Sequence, residues 1–271
     1  MPEKIRQAEQ FFAENNIQPK IFFILGSGID ITPITHKCQD VREYSFSDIP
    51  GFPKPTVSGH DGKIVLGNFT ERLPMAIFFG RKHIYEGNVE DTIFVPRIMS
   101  KLGAEIGIFT SSMGAIDTFI SPGDLVLLTD IINYGGIWTA RYSQICKTGS
   151  RNFKLFDREL SEKFIEYGRK LGICFKSGVA GFCTGPTYET PAEVKMLRTL
   201  GVSVVSMSMA PEVTMANANK IRCVGIALVT NRAGEHSDHS EVLKSARLTS
   251  TKITKVIEHF LVELSERRNQ I

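Results

Sequence analysis

Short apolar runs alternate with longer stretches in which apolar residues recur every three or four positions. That alternation predicts an α/β fold. Strands are expected at Lys20–Leu25, Lys63–Leu66, Met75–Phe79, Ile106–Thr110, Leu125–Leu128, Gly178–Phe182, Val202–Met207 and Cys223–Thr230. Most are continuously apolar, as in strands buried on both faces. A first helix is expected from Glu3 to Asn15, with Pro2 at its start and Ile5, Ala8, Phe11 and Phe12 on one face. A second spans Val89–Leu102 and ends at Gly103, and Asp157 is placed to cap a third, Arg158–Leu171. Thr190-Pro191-Ala192-Glu193 has the capping-box pattern with Pro at the first helical position, opening a helix that stops at Leu200-Gly201. A last helix runs from about Ser240 to Arg267, its apolar stripe including Val242, Ala246, Ile253, Val256, Phe260 and Leu264.

No linker or internal repeat interrupts this order, and 271 residues suit one domain, 1–271. The apolar runs are strand-sized, far short of the roughly 20 residues that cross a membrane. The start, Met1-Pro2-Glu3-Lys4, lacks an apolar leader, so the expected location is cytoplasmic. A net charge of +3 from 32 basic and 29 acidic residues, spread along the chain, gives no reason to expect nucleic acid as a partner. Five cysteines without CxxC spacing read as reduced thiols rather than a zinc site.

The candidate chemistry gathers where strands end, the usual place for ligands in α/β sheets. Gly26-Ser27-Gly28 can hold an anion on a hydroxyl and backbone N–H groups, or can be a plain turn. In Gly80-Arg81-Lys82-His83-Ile84-Tyr85, an extended backbone would place Arg81, His83 and Tyr85 on one side, a set suited to phosphate and sugar. His60 is a weaker candidate, equally readable as a turn histidine. Thr110-Ser111-Ser112-Met113-Gly114, after a strand, can let a ligand approach the backbone, or can equally be a simple turn. Tyr188 and Glu189, just before the capped helix, can stack on a flat ring and accept from its N–H. Glu189 can equally serve only the helix dipole. Met207-Ser208 and Asn231 end two further strands, and Asn231 carries both an acceptor and a donor for a base edge.

Taken in order, these segments resemble the trimeric purine nucleoside phosphorylase family. The matching stretches are Leu25–Gly28, Gly59–Gly62, Gly80–Gly87, Thr110–Gly114, Gly123–Asn133, Gly185–Glu193, Met207–Val213 and Val229–Asn231. The resemblance implies a single domain with a mixed, partly barrel-like sheet flanked by helices. It implies a pentosyltransferase of purine salvage that splits purine nucleosides with phosphate as co-substrate, without metal or organic cofactor. Ser27, His60, Arg81, His83, Ser112 and Ser208 would hold phosphate, and Tyr85, Met207 and His239 the ribose. Tyr188, Glu189 and Asn231 would bind the purine, with Phe153 supplied by a neighbouring subunit of a homotrimer. Asn231, Glu189 and His83 would be the catalytic group.

The same resemblance implies a preference for 6-oxopurines, because Asn231 stands where related adenosine-type enzymes carry Asp. The alternatives are a methylthioadenosine or adenosine phosphorylase, and a non-catalytic nucleoside- or phosphate-binding protein. The sequence also departs from the family. Ser111-Ser112-Met113 stands where many members have Asn-Ala-Ala, and the segment after Asn231 is short. His239 fits the ribose 5′ position best, with His236 as the alternative.

Overall fold

The computed structural model describes residues 2–57, 60–71, 73–134, 154–235 and 239–268. Nine strands form one mixed sheet: β1 (Ile21–Leu25), β2 (Gln39–Ser45), β3 (Lys63–Asn68), β4 (Pro74–Phe79), β5 (Ile106–Ala115), β6 (Leu125–Asn133), β7 (Phe175–Phe182), β8 (Val204–Ser206) and β9 (Arg222–Arg232). Their order is β2-β3-β4-β1-β5-β8-β7-β6-β9, and β9 returns to pair with β5. The last five strands thereby close into a barrel, with the remaining four extending from β5 as an open wing. In the wing β1 lies parallel to both β4 and β5. This is the α/β, partly barrel-like architecture expected from the sequence.

Alternation along the strands divides the interior in two. In β1, Phe22 and Ile24 enter one apolar core while Ile21, Phe23 and Leu25 enter the other. The first core is covered by α1 (Pro2–Glu14), α2 (Phe94–Lys101) and α5 (Ala210–Ala218). The second is covered by α3 (Arg158–Lys170) and α6 (His239–Arg268). The helix α4 (Pro191–Thr199) packs Val194 and Leu197 onto a smaller cluster beside β8. Both predicted caps form. Asp157 accepts from the Leu160 N–H, and Thr190 with Glu193 makes a reciprocal box at α4. None of the helices among the described residues is long and apolar enough to cross a membrane.

Three local expectations are corrected. Thr110–Gly114 is not a turn. It continues β5, whose backbone pairs with β9 as far as Ala115. Asn231, opposite Gly114, is the last residue but one of β9, at a strand end as expected. Closure of the barrel supplies ladder partners there whatever the side-chain polarity. The helix expected over Val89–Leu102 is broken at Ile93 into a short turn and α2. Pro96 has no N–H to offer the Thr92 carbonyl, so the hydrogen-bond ladder cannot run through. Finally, the segment after β4 is not extended throughout, because Ile84–Glu86 forms a 3-10 turn.

Candidate active site

The ends of β1, β4 and β8, the interiors of β5 and β9, and the loop after β7 surround a cleft of about 370 Å³. Ser27, His60, Arg81, His83, Tyr85, Ser112, Tyr188, Glu189, Met207, Ser208 and Asn231 all border it. Residues as far apart in sequence as Ser27 and Asn231 are thus brought to one space. Phe153 and His236 lie outside the described residues. His239 begins α6, and its side chain lies outside them too.

One half of the cleft is rich in hydroxyl and cationic groups. Gly26 leaves β1 so close to β5 that a Cβ would stand 2.9 Å from the Ser111 Cα. This approach lets Ser112 Oγ donate to the Ser27 carbonyl at 2.9 Å and fixes the turn carrying Ser27. His60 Nδ1 accepts from the Arg81 backbone N–H at 2.9 Å. In the neutral ring the proton is therefore on Nε2, which donates to Ser27 Oγ at 2.9 Å. The Ser27 hydroxyl keeps its own proton for an anion. Gly80, with φ of +113°, places the same His60 side chain against the backbone after β4, where a Cβ would come within 2.9 Å of His60 Cβ.

His83 is held by Glu86. The Glu86 Oε1 accepts from the His83 N–H at 2.7 Å and lies 3.0 Å from Nδ1. Its Oε2 accepts from the Thr56 N–H at 2.6 Å, the Thr56 hydroxyl at 2.7 Å and Lys82 at 3.1 Å. Burial alone would raise the Glu86 pKa, but the hydrogen bonds from His83 and Thr56 outweigh it and hold the carboxyl far below the usual range. With an ionised partner at Nδ1, His83 keeps that proton and has Nε2 left for a ligand. Burial pushes the His83 pKa below its ordinary value, more than Glu86 restores it. The ring stacks on Tyr85 at 5.0 Å between centroids.

Arg81 does not present an open fork. Its side chain is 1% exposed. Nε donates to Glu212 Oε1 at 3.0 Å, Nη1 to the Thr110 carbonyl at 2.8 Å and Ser208 Oγ at 3.2 Å, and Nη2 to the Ile24 carbonyl at 3.2 Å. Ser208 in turn meets Ser111 Oγ at 3.0 Å. Burial raises the Glu212 pKa and Arg81 opposes that rise.

The other half is more open. Tyr188 is 49% exposed at the rim. Glu189 is half-buried, and that burial lifts its pKa above the ordinary carboxylate value, with only partial relief from its own backbone N–H and the Cys183 thiol. The carboxylate at the N-terminus of α4 is Glu193, which bonds the Thr190 N–H at 2.8 Å. Glu189 is therefore not needed as a cap. Asn231 has a defined amide orientation. Thr230 Oγ1 donates to Oδ1 at 3.0 Å and Nδ2 donates to the Arg232 carbonyl at 3.2 Å, leaving a second Nδ2 proton for a ligand.

Glu86, Glu212 and Thr230 were not singled out in the sequence. Glu86 lay inside a quoted segment, and its spacing of three from His83 was the available signal. Glu212 lay inside Met207–Val213, but nothing in the sequence pairs it with Arg81, 131 residues away.

A cleft at the strand ends, with a half rich in hydroxyl and cationic groups facing a half that carries a carboxylate and an amide, suits an anion beside a planar polar ring. The model of the phosphorylase superfamily matches residues 20–262. Purine nucleoside phosphorylase 1 of Bacillus subtilis is 35% identical over 269 residues, covering 95% of this chain and 98% of that protein. Its namesake from Geobacillus stearothermophilus is 32% identical over 94% of this chain and 95% of that protein. The crystal structure of Schistosoma mansoni purine nucleoside phosphorylase in complex with inosine superposes with a TM-score of 0.83 at 28% identity, covering 94% of this chain and 96% of that one. The chain belongs to the phosphorylase superfamily, within its purine nucleoside phosphorylase family, and is a pentosyltransferase.

Proposed function

We propose that this protein catalyses reversible phosphorolysis of 6-oxopurine nucleosides: inosine, guanosine and their deoxy forms. The products are the free purine and ribose or deoxyribose 1-phosphate. The observation that carries this reading is the juxtaposition, in one cleft, of Ser27, Arg81, His83 and Ser208 with Glu189 and Asn231. Phosphate is the co-substrate, and the reading calls for no metal or organic cofactor.

In this reading the glycosidic bond lengthens first and the ribose becomes oxocarbenium-like. Phosphate, held below the sugar by the Ser27 and Ser208 hydroxyls, the Ser112 backbone N–H and Arg81, supplies compensating charge and then the nucleophilic oxygen. His83, with its Nδ1 proton pinned to Glu86, exchanges a proton with phosphate through Nε2. The departing base gains negative charge at its five-membered ring. Asn231 donates to N7 there, or accepts from a proton placed on it. Glu189 accepts from N1–H, a proton that inosine and guanosine have and adenosine lacks. Tyr85 and Met207 contact the ribose, and Tyr188 flanks the base. Phe153 of a neighbouring subunit and His239, with His236 as the alternative, complete the site in a cytoplasmic homotrimer serving purine salvage.

The second reading is a methylthioadenosine or adenosine phosphorylase. Its support is that the Schistosoma mansoni relative has been crystallised with adenosine as well as with guanosine and inosine. The test is a substrate panel with and without phosphate. Phosphate-dependent release of hypoxanthine from inosine, faster than adenine release from methylthioadenosine, is expected. The reverse order would replace the first reading by the second, and base binding without phosphate-dependent release would indicate a non-catalytic binder.

A further inference from the structure

Arg81 and Glu212 form a buried ion pair, their side chains only 1% and 4% exposed. Burying a guanidinium among carbonyls alone would leave its charge uncompensated. The pair contains an oddity. Glu212 meets Arg81 through Oε1 alone, and among the described residues its buried Oε2 has no hydrogen-bond partner. A bidentate pair would satisfy both oxygens by taking Nε and one Nη together, turning the fork of the guanidinium onto the carboxylate. The single contact leaves both Nη groups to other partners.

Those partners define a direction. The Thr110 and Ile24 carbonyls hold Nη1 and Nη2 from the strands β5 and β1. Ser208, which borders the cleft, takes the second Nη1 proton at 3.2 Å. Ser208 and Glu212 are four residues apart, just before and within the first turn of α5, and they grip Arg81 at two different nitrogens. Of five guanidinium N–H groups the protein takes four, leaving one Nη2 proton, and Arg81 and Ser208 both border the cleft that an anion would enter.

We propose that Glu212 is a positioning residue of the phosphate site. It aims Arg81 at the cleft and offsets enough of its charge for phosphate and the sugar phosphate product to exchange. The proposal rests on the phosphorolysis reading above. It assigns two separable roles to one carboxylate, geometry and charge, and they respond oppositely to substitution.

The experiment is steady-state phosphorolysis of inosine by the full chain at varied phosphate, comparing the parent with Glu212→Gln and Glu212→Asp. Folding is checked by circular dichroism. Gln keeps an acceptor for the Nε proton but removes the charge. Its phosphate KM falls about threefold or more and kcat falls as product leaves more slowly, with the inosine KM unchanged. Asp keeps the charge but is one methylene short. Its phosphate KM rises about fivefold or more, again with the inosine KM unchanged. Equal changes in both KM values, or a phosphate KM that moves in the same direction in both variants, overturn the proposal. If Glu212→Gln does not fold, Glu212→Asp decides alone, and a phosphate KM unchanged from the parent overturns it. A parent chain that releases no base with phosphate is a different result, one that removes the phosphorolysis reading and this proposal with it.

Discussion

The two halves of the cleft are built to different standards of order. On the side proposed for phosphate, Arg81, His83, Ser27 and Ser208 each have a defined partner, two of those of Arg81 being backbone carbonyls of β1 and β5. On the side proposed for the purine, Tyr188 is half exposed and Glu189 carries a burial penalty that its neighbours only partly relieve. The difference is chemical. Phosphate is one small anion with the same demands in every substrate, so its site can be finished in advance and costs little reorganisation during reaction. In the proposed function the base varies, and Glu189 would gain a partner for its charge only when a base N–H arrives.

This contrast can be broken at its most sensitive point. Glu189→Ala is expected to lower kcat/KM for inosine by about 10²–10³ while leaving the phosphate KM nearly unchanged. In the parent, an acid limb of kcat/KM is expected on the high side of the ordinary carboxylate value, because burial raises the Glu189 pKa. A pH–rate profile of Glu189→Gln should lack that limb.

The opposite half is tested by Glu86→Gln. The Glu86 side chain is 2% exposed and collects donors from Thr56, Lys82 and His83, so losing its charge should cost about 3 kcal/mol of stability near neutral pH. The sign with pH follows from its depressed pKa. The contribution is complete above the ordinary carboxylate value of 4.5 and is lost as pH falls below it. The gap between parent and variant in denaturant melts should therefore narrow on acidification. A gap that stays constant from neutral to acid pH would show that the Glu86 charge is not what orders this half.

The smallest effect expected is that of Ser112→Ala. It removes one hydroxyl bond to the Ser27 carbonyl, worth about 1 kcal/mol, and should raise the phosphate KM a few-fold without touching nucleoside selectivity. Measuring both KM values tells whether the Ser27 turn is held from β5 or stands by itself.

Legibility in the sequence followed burial. Strands β1 and β4 were readable because both faces are covered and every position is apolar or nearly so. The strand β2 was not, since it is a largely exposed edge of polar residues, Gln39–Ser45, whose only ladder partner among the described residues is β3. The helix α5 was missed for the opposite reason. Its Ala210, Val213 and Ala216 are buried, but so are Pro211 and Glu212, and no polar face remains to give it a helical period. Most candidate site residues were visible as polar punctuation after apolar runs. Their supports were not, because Glu86 and Glu212 look like ordinary charged residues until a partner is seen.

What the sequence determined by itself is what depends on near neighbours along the chain: the apolar strands, the Asp157 and Thr190 caps, and the order of motifs that resembles one family. The tertiary structure alone decided that β5 and β9 continue together past their apolar runs, since that needs a barrel to close. It also decided that a buried carboxylate stands behind Arg81 and that His60 carries its proton toward Ser27. These depend on the positions of groups far apart in sequence. Charge and hydrogen bonding act through distance in space, which residue spacing does not reveal.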